Sequence, residues 1–489
     1  MAAKVKRIFS NDWLKYFVAA LIPIIGCLLF LLYNHMGIGE YTVYFTRWND
    51  ELSYYKHTEG ILKYGLPKGY FGFNESTALK GTFGAWNPTC LIPFLAVGKV
   101  FGWTGRVPII FNLVIWVLAF IAYVKITNPK WSQLVVTGAL YLAFICNHRY
   151  IYSVTPEPYI TVLLLIFFCI FIRGYNSKFK VSDYIILDLI IIFLTTVRGY
   201  YAVLGVLVIW SIIKKDKKVI NFLIQCIVTL GSAVGFLLIK RNYTAPYFEE
   251  IVNTSDLKNP VVIINLLVSG VKESISYIIQ CLQRTSMRGS WYLIYYLIGM
   301  ALIYLWIKKK DSIYAVTFIA WLAILASMFT IYNPKEGSRH LMALAFVGAV
   351  IINQLIQQKL VAAVSVILLI YCSWLSTDTF YMKLENYGKD WADSLIQEQQ
   401  ELEQLMPATD DRWDSTAILT LSMVFNDMYA LPAGYGIQDC DDSYVMEHID
   451  ELQSKYVVVR IGEEIETFLA DRGYEVIDSY SNSRIYKLR

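Results

Sequence analysis

The sequence predicts an α-helical polytopic membrane protein of about eleven transmembrane helices with a small C-terminal extracytoplasmic α/β domain. Three observations predict this fold class. Hydrophobic residues make up 56% of the 489-residue chain, and the mean hydropathy is +0.46. The apolar residues gather in runs close to the roughly 20 residues that a helix needs to cross a bilayer core. These runs stop near residue 377, and acidic residues predominate after it.

Eleven apolar runs are predicted to be membrane helices. They lie near residues 14–34, 107–125, 131–147, 158–173, 182–197, 200–213, 219–240, 291–307, 312–332, 339–356 and 359–377. The moderately apolar segment 88–103 differs, because Pro88, Pro93 and Lys99 interrupt it and glycines flank it. These features favour a helix that lies on the membrane surface. If this segment crossed the membrane, every later loop would change sides.

Lysine and arginine are distributed unevenly between alternate loops. One set of loops, which includes the N-terminus, is rich in basic residues: Lys4, Lys6, Arg7, Lys125, Lys130, Arg173, Lys178, Lys180, Lys214, Lys215, Lys217, Lys218, Lys308, Lys309, Lys310 and Lys359. The short loops of the other set hold only Arg149, Arg198, Lys335 and Arg339. The positive-inside rule therefore predicts a multi-pass cell-membrane protein with a cytoplasmic N-terminus. An odd number of spans places the C-terminal domain outside the cytoplasm.

Charge also divides the chain into two predicted domains, a transmembrane domain at 1–377 and an extracytoplasmic domain at 378–489. The second contains 23 acidic and 9 basic residues, a balance of −14, whereas the first carries +18. Periodicity in the second domain indicates helices at 390–406 and 463–472, strands at 417–424 and 456–461, and a closing hairpin from Tyr474–Ile477 and Arg484–Leu488. Gly473 is predicted to end the second of these helices.

Two adjacent carboxylates, Asp50 and Glu51, lie near the start of the long outer loop 35–106. A second outer loop carries Glu157 eight residues after Arg149. Charges at the membrane edge are costly unless they are solvated, paired or used. We therefore expect Asp50, Glu51 and Glu157 to be candidate catalytic residues, although the same charges could instead be water-facing groups that anchor helix ends.

Candidate substrate-binding residues lie on the neighbouring outer loops. They are Arg149, Arg198, Tyr200, Arg339 and His340. Transfer of a sugar to a hydroxyl needs a carboxylate that accepts the hydroxyl proton and cations that stabilise a phosphate leaving group. The planar fork of arginine suits phosphate. A lipid donor would hold its phosphate at the bilayer surface, at the predicted height of these arginines.

Several short motifs follow the acidic pair in order: Gly65-Leu66-Pro67, Trp86-Asn87-Pro88, Phe101-Gly102-Trp103 and Arg106 before the second span. This layout resembles the integral-membrane glycosyltransferases of the GT-C superfamily, such as the protein O-mannosyltransferases and the lipid A aminoarabinose transferases. The resemblance covers the first two hundred residues best. The His-Pro-Pro often found in that family is replaced here by Trp86-Asn87-Pro88.

The resemblance implies roles for individual residues. Asp50 matches the position of the catalytic acid of the first outer loop, with Glu51 as its neighbour, and Glu157 matches a second acid. Arg198 and Arg339 match arginines that contact the donor phosphate. The implied reaction is hexosyl or pentosyl transfer from a polyprenyl-phosphate-sugar donor to an extracytoplasmic acceptor, such as a cell-wall polymer, a glycolipid, a polysaccharide or a protein.

The sequence implies no firmly bound cofactor. It contains no cluster of residues with metal-ligand spacing, so no metal site is predicted. A weakly bound Mg²⁺ or Mn²⁺ between Asp50 and Glu157 stays open, because carboxylates suit such ions. Gly-rich phosphate-binding loops are absent, which argues against a soluble nucleotide donor, and no nucleic-acid partner is expected.

Two other classes of protein fit parts of the sequence. A membrane transporter or a flippase for lipid-linked oligosaccharides would place ionisable residues within its spans, and Asp183 and Asp188 are the main candidates. A nonenzymatic polysaccharide-assembly or receptor protein would keep the outer domain but would not need the acidic pair.

Overall fold

The computed structural model describes most of the chain. The described residues are 12–46, 48–65, 74, 87–244, 259–284, 288–331, 334–376, 384–385, 387–406, 417–421, 425–433, 435–452 and 454–489. Every structural statement below concerns these residues.

The first half of the chain is helical. Its helices are α1 (Asp12–Tyr33), α2 (Asn49–Tyr64), α3 (Ile92–Phe101), α4 (Val107–Thr127), α5 (Trp131–Ala143), α6 (Ile145–Ile151), α7 (Glu157–Asn176), α8 (Val181–Val197), α9 (Leu204–Ser211) and α10 (Val219–Tyr243). Short 3₁₀ turns at Val43–Phe45, Pro88–Leu91 and Gly199–Val203 lie between them.

The second half continues the helical bundle and then adds a sheet. The helices are α11 (Pro260–Leu282), α12 (Arg288–Lys309), α13 (Ser312–Ile331), α14 (Leu341–Ile356), α15 (Lys359–Ser376), α16 (Lys389–Leu405), α17 (Asp442–His448) and α18 (Ile465–Asp471). The single turn Pro334–Gly337 and the 3₁₀ turn Ser338–His340 precede α14.

Eight described helices are long and apolar enough to cross a membrane, namely α1, α4, α7, α10, α11, α12, α13 and α15. A ninth crossing is possible if α5 and α6, which meet at a 70° bend, form one broken span. Apolar side chains such as Leu118, Leu230, Ile264 and Ile367 are more than half exposed, at 57%, 67%, 58% and 63%. Outward apolar side chains of this kind are what a lipid-facing surface requires, so the polytopic helical fold is confirmed.

The eleven predicted spans all contain helix, but the structure alters several of them. The run 131–147 is bent at Phe144, and the run 200–213 holds only the eight residues of α9 between other turns. Helix α8 has 17 residues and α14 has 16, which is short for a span. Bends and short helices depend on packing against neighbours, which hydropathy does not report.

Helix α11 was missed by the sequence analysis. It packs against α12, where Ser274 and Tyr296 share a hydrogen bond of 2.8 Å and the rings of Tyr277 and Tyr292 stack at 6.5 Å. Its hydropathy, 1.5, is the lowest of the eight candidate spans. Lys272 and Glu273 interrupt the apolar run, and for that reason the sequence pattern did not indicate a span.

The lysine-rich turns gather at one end of the bundle. Three contacts join these turns, from Lys15 to Asn128, from Tyr175 to Asp311 and from Lys309 to the carbonyl of Leu355. The opposite end carries Asp50 and the residues described in the next subsection. Segregation of this kind agrees with the charge asymmetry of the loops.

The C-terminal strands form one mixed five-stranded sheet. The strands are β1 (Ala417–Leu421), β2 (Gly436–Cys440), β3 (Tyr456–Arg460), β4 (Tyr474–Tyr480) and β5 (Ser483–Leu488), in the order β2-β1-β3-β5-β4. Strand β1 pairs in parallel with β2 and β3, and β5 pairs antiparallel with β3 and β4. The predicted hairpin and the helix that ends before Gly473, whose φ is +86°, are therefore confirmed.

Candidate active site

Asp50 lies in the first turn of α2, at the end of the bundle opposite the lysine-rich turns. The helix begins after Trp48, whose backbone is extended and whose N–H donates to Thr46 Oγ1 at 3.3 Å. Carboxylates in a first helical turn are stabilised by the unpaired backbone N–H groups there. The helix ends at Gly65, where φ is +79°. Asp50 and Glu51 thus both lie in the first turn of a helix.

Arg339 joins Asp50 to a second carboxylate. Its Nη1 donates to Asp50 Oδ2 at 2.8 Å, and its Nε lies 3.7 Å from Glu157 Oε1. The guanidinium also stacks over the Trp48 ring at 4.4 Å. The side chains of Asp50 and Arg339 are 28% and 25% exposed, so a molecule outside the protein can reach both.

Glu157 opens α7 and is almost fully buried. Its Oε1 accepts a hydrogen bond of 2.6 Å from Arg198 Nη2, and Arg198 itself is 8% exposed. Arg198 follows the last residue of α8, where the backbone leaves the helix in an extended conformation. Asp50, Glu157, Arg198 and Arg339 therefore form one connected group, called here the acid–arginine cluster.

The acid–arginine cluster has two formal negative and two formal positive charges. Burial alone lowers the pKa of the Arg339 guanidinium, but Asp50 and Glu157 raise it above the usual value, so Arg339 stays charged. Burial, with Arg198 and Arg339 nearby, holds the pKa of His340 well below its usual range. His340 is therefore neutral at pH 7 and adds hydrogen-bonding capacity without charge.

Tyr200 lies beside the cluster. Its ring centroid is 6.1 Å from that of His340 and 4.6 Å from that of Tyr201, and Tyr200 is 4% exposed. The structure thus brings six of the eight candidate site residues into one neighbourhood: Asp50, Glu157, Arg198, Tyr200, Arg339 and His340.

Glu51 and Arg149 form a separate pair away from the acid–arginine cluster, and their predicted roles stay predictions. Glu51 Oε2 accepts a 3.0 Å hydrogen bond from Arg149 Nη2, and both side chains are 0% exposed. Arg149 also donates to Thr46 Oγ1 at 3.0 Å. Arg149 belongs to α6, which follows the 70° bend after α5. With no exposed surface, neither residue can contact a substrate in this conformation.

Trp48 is the residue of the site that the sequence analysis missed. It lies two residues before Asp50, and its indole forms the platform under Arg339. An aromatic ring beside an arginine gains cation–π stabilisation. Its position next to the acidic pair was the available signal, but a lone tryptophan at a membrane edge is common and therefore uninformative.

No group of three or more His, Cys, Asp or Glu that could hold a metal is found among the described residues. Arg339 contacts both Asp50 and Glu157, the two residues proposed to share a weakly bound ion. A divalent ion between these carboxylates would have to compete with that guanidinium.

Asp183 and Asp188, the candidates for a transport pathway, lie at the lysine-rich end. Asp183 caps the start of α8, accepting from the Lys180 N–H at 2.8 Å and pairing with Arg173. Asp188 lines a cavity of about 710 Å³ near Lys180 and Lys218. A helix cap and a cavity beside basic turns do not indicate a pathway through the middle of the bundle.

The chain is similar to known proteins in fold and not in sequence. No family model matches the chain, and no curated protein matches it. The fold is similar to the crystal structure of ArnT from Cupriavidus metallidurans bound to undecaprenyl phosphate. The sequence identity is 12%, the TM-score is 0.45, and the match covers 95% of this chain and 97% of that one. At these values the likeness assigns no activity to this chain.

Proposed function

We propose that this chain is a membrane glycosyltransferase that takes a hexose or pentose from a polyprenyl-monophosphate carrier and transfers it to a hydroxyl of an extracytoplasmic acceptor. The observation that carries the proposal is the acid–arginine cluster, in which ion pairs connect Arg198, Glu157, Arg339 and Asp50 at one end of a membrane bundle. Four separate chain segments supply these residues, and a reaction needs both an acid–base group and phosphate-binding groups at one place.

Asp50 is the proposed general base. Its carboxylate is the more exposed acid of the cluster, so an acceptor hydroxyl can approach it. In the structure the carboxylate is paired with Arg339. An incoming donor phosphate would compete for Arg339 and release Asp50. Donor binding would then free the Asp50 carboxylate at the moment when the acceptor proton must be removed.

Arg198 and Arg339 are the proposed ligands of the donor phosphate. The phosphodiester of a polyprenyl-phosphate sugar carries one negative charge. The polyprenyl monophosphate that leaves carries two, so one negative charge develops during the reaction. Two arginines stabilise the developing charge, because hydrogen bonds between charged partners are stronger than neutral ones. Glu157 holds Arg198 in place through its 2.6 Å contact. Neutral His340 and Tyr200 are proposed to contact the sugar or its phosphate without adding charge.

The proposed reaction is a single displacement. The acceptor oxygen forms a bond to the anomeric carbon while the bond from that carbon to the phosphate oxygen breaks. The bonding electrons leave with the phosphate oxygen, and the acceptor proton passes to Asp50. The products are the glycosylated acceptor and polyprenyl monophosphate, with inversion at the anomeric carbon.

The proposed orientation places the site end, including 378–489, outside the cytoplasm and the lysine-rich turns inside. The acidic outer domain would help to position an acceptor, as part of glycosylation of the cell envelope. Cysteine labelling of intact cells tests the orientation. Labelling from outside at Lys214→Cys, with protection of a cysteine placed in the C-terminal domain, would reverse it and remove the site from the outer face.

Turnover of a lipid-linked donor tests the function. The purified protein in lipid vesicles is given a panel of polyprenyl-phosphate-linked hexoses and pentoses with a labelled sugar. We expect release of polyprenyl monophosphate by the wild type, and its loss in the Asp50→Asn variant. Movement of a donor across the vesicle membrane without any cleavage would instead favour the flippase alternative.

A further inference from the structure

We propose that the C-terminal region, residues 378–489, positions the active site, and that Asn426 is the positioning residue through which it holds the loop before Asp50. The catalytic half of this inference rests on the proposed function. The structural half stands on contacts alone and can be tested without any substrate.

Asn426 binds the loop before α2 directly. The residue is 0% exposed, and its side-chain amide nitrogen donates to the carbonyl oxygens of Tyr44 at 2.6 Å and of Thr46 at 2.7 Å. The backbone N–H of Glu385 donates to the carbonyl between them, that of Phe45, at 2.9 Å. Three successive carbonyl oxygens of this loop are therefore bonded to residues about 340 to 380 positions later in the chain.

These bonds matter because the loop, a single 3₁₀ turn followed by extended backbone at Thr46, is buried. Phe45 is 0% exposed and Thr46 is 2% exposed. A buried carbonyl without a partner costs about 1–3 kcal/mol, and no strand pairs with this loop among the described residues. The C-terminal region provides these partners, so it fixes the loop in one conformation.

A second set of contacts docks the same region on α2 itself. Lys56 Nζ pairs with Glu59 at 2.6 Å and donates to the carbonyls of Tyr429, at 3.4 Å, and Leu431. The Tyr429 ring lies 5.2 Å from that of Tyr55. Lys56 is 7% exposed, so the contact belongs to a buried interface. The C-terminal region thus contacts both the loop before Asp50 and the middle of α2.

Thr46 connects this docking to the reacting groups. Its Oγ1 accepts hydrogen bonds from Arg149 and from the N–H of Trp48. The Trp48 ring supports the Arg339 guanidinium, and Arg339 in turn binds Asp50. A shift of Thr46 would therefore move the platform under Arg339. Misplacement of reacting groups by about 1 Å can lower a rate by about 10²-fold.

The test compares two substitutions with a matched control in the full-length protein. Asn426→Ala removes both hydrogen bonds, and Asn426→Asp keeps the shape but turns a donor into an acceptor that faces two carbonyls. Tyr435→Phe is the control, because it removes a buried hydrogen bond to the carbonyl of Met406 within the C-terminal region. Hydrogen exchange of residues 41–52 and the kcat and KM for the lipid-linked donor are measured for each.

We expect faster exchange in 41–52 for both Asn426 variants, most for Asp, and wild-type exchange there for Tyr435→Phe. The kcat should fall by up to about 10²-fold in the Asn426 variants, and the KM for the donor should rise less than in Arg339→Ala, because Arg339 is shifted but keeps its charge. Wild-type exchange in 41–52 for both variants would overturn the inference. If the wild type cleaves no donor, the proposed function fails, while the exchange data still decide the positioning role.

If the Asn426 variants do not fold, a substitution at a less buried contact between the C-terminal region and α2 tests the same docking. Gln399 is partly buried and donates to Glu59 Oε1 at 2.9 Å and to the Leu431 carbonyl at 3.3 Å. Gln399→Ala should speed exchange within α2, whereas Tyr435→Phe should not. Unchanged exchange in α2 would contradict docking through this contact.

Discussion

Asp50 and Glu51 are neighbours in the chain, and each pairs with an arginine, but the two pairs differ in environment. Asp50 and Arg339 are about a quarter exposed, at 28% and 25%, whereas Glu51 and Arg149 are completely buried at 0%. Successive residues of a helix point about 100° apart, so one carboxylate lies partly at the surface and the other faces the protein interior.

The difference in exposure implies different roles for the two carboxylate–arginine pairs. A partly exposed ion pair can open when a competing anion arrives, because water and the ligand can replace each partner. A fully buried pair cannot open without leaving a charge in the interior, which is strongly destabilising. We therefore infer that the Asp50 pair can react, whereas the Glu51 pair holds α2 against α6. The following predictions test this comparison, beginning with the largest effect.

Asp50→Asn should lower transfer by roughly 10² to 10⁴-fold, the range typical of a lost general base. The substitution keeps the shape of the side chain, so the thermal stability and the binding of donor should stay close to wild type. Single-turnover measurements with saturating donor check this. Normal transfer by Asp50→Asn would remove the general-base assignment and with it the reaction as drawn.

Glu51→Gln should mainly destabilise the protein. The substitution leaves the Arg149 cation buried without its counter-charge, and breaking such a pair costs about 3–5 kcal/mol. The apparent Tm of the protein in lipid nanodiscs should fall clearly below that of Asp50→Asn, which serves as the matched control. A Glu51→Gln protein that is as stable as wild type but inactive would instead give Glu51 a catalytic role.

Arg339→Ala and Arg198→Ala should weaken binding of the donor. Loss of a charged hydrogen bond to phosphate costs about 1.5–3 kcal/mol, which is roughly 10 to 150-fold in affinity. Titration of undecaprenyl phosphate into the purified variants measures this effect. If both variants bound the lipid phosphate like wild type, these arginines would not be its ligands.

Glu403→Ala should have the smallest effect. Glu403 pairs with Lys63 at 2.5 Å, but the side chains are 39% and 44% exposed, and exposed ion pairs contribute about 0–1 kcal/mol. Donor turnover should stay at the wild-type level and the Tm should hardly move. A large loss of stability would show that this exterior contact, and not only the buried ones, holds the C-terminal region on α2.

The sequence alone determined the features that depend on local pattern. Long apolar runs predicted the bundle, the uneven lysines predicted two unlike ends, and the segments Tyr474–Ile477 and Arg484–Leu488 predicted the β4–β5 hairpin. It also pointed to Asp50, because an acidic pair near the start of a long outer loop at the membrane edge is costly unless it is used or solvated.

Only the tertiary structure decided which arginine binds which acid. Arg339 lies 289 residues from Asp50, and Arg149 lies 98 residues from Glu51. The bend between α5 and α6, the helix α11 and the docking of Asn426 on Thr46 were likewise invisible to the sequence pattern. Hydropathy and periodicity report the environment of a residue along its own segment. Ion pairing and burial depend on how distant segments pack, and that packing is fixed by the fold as a whole.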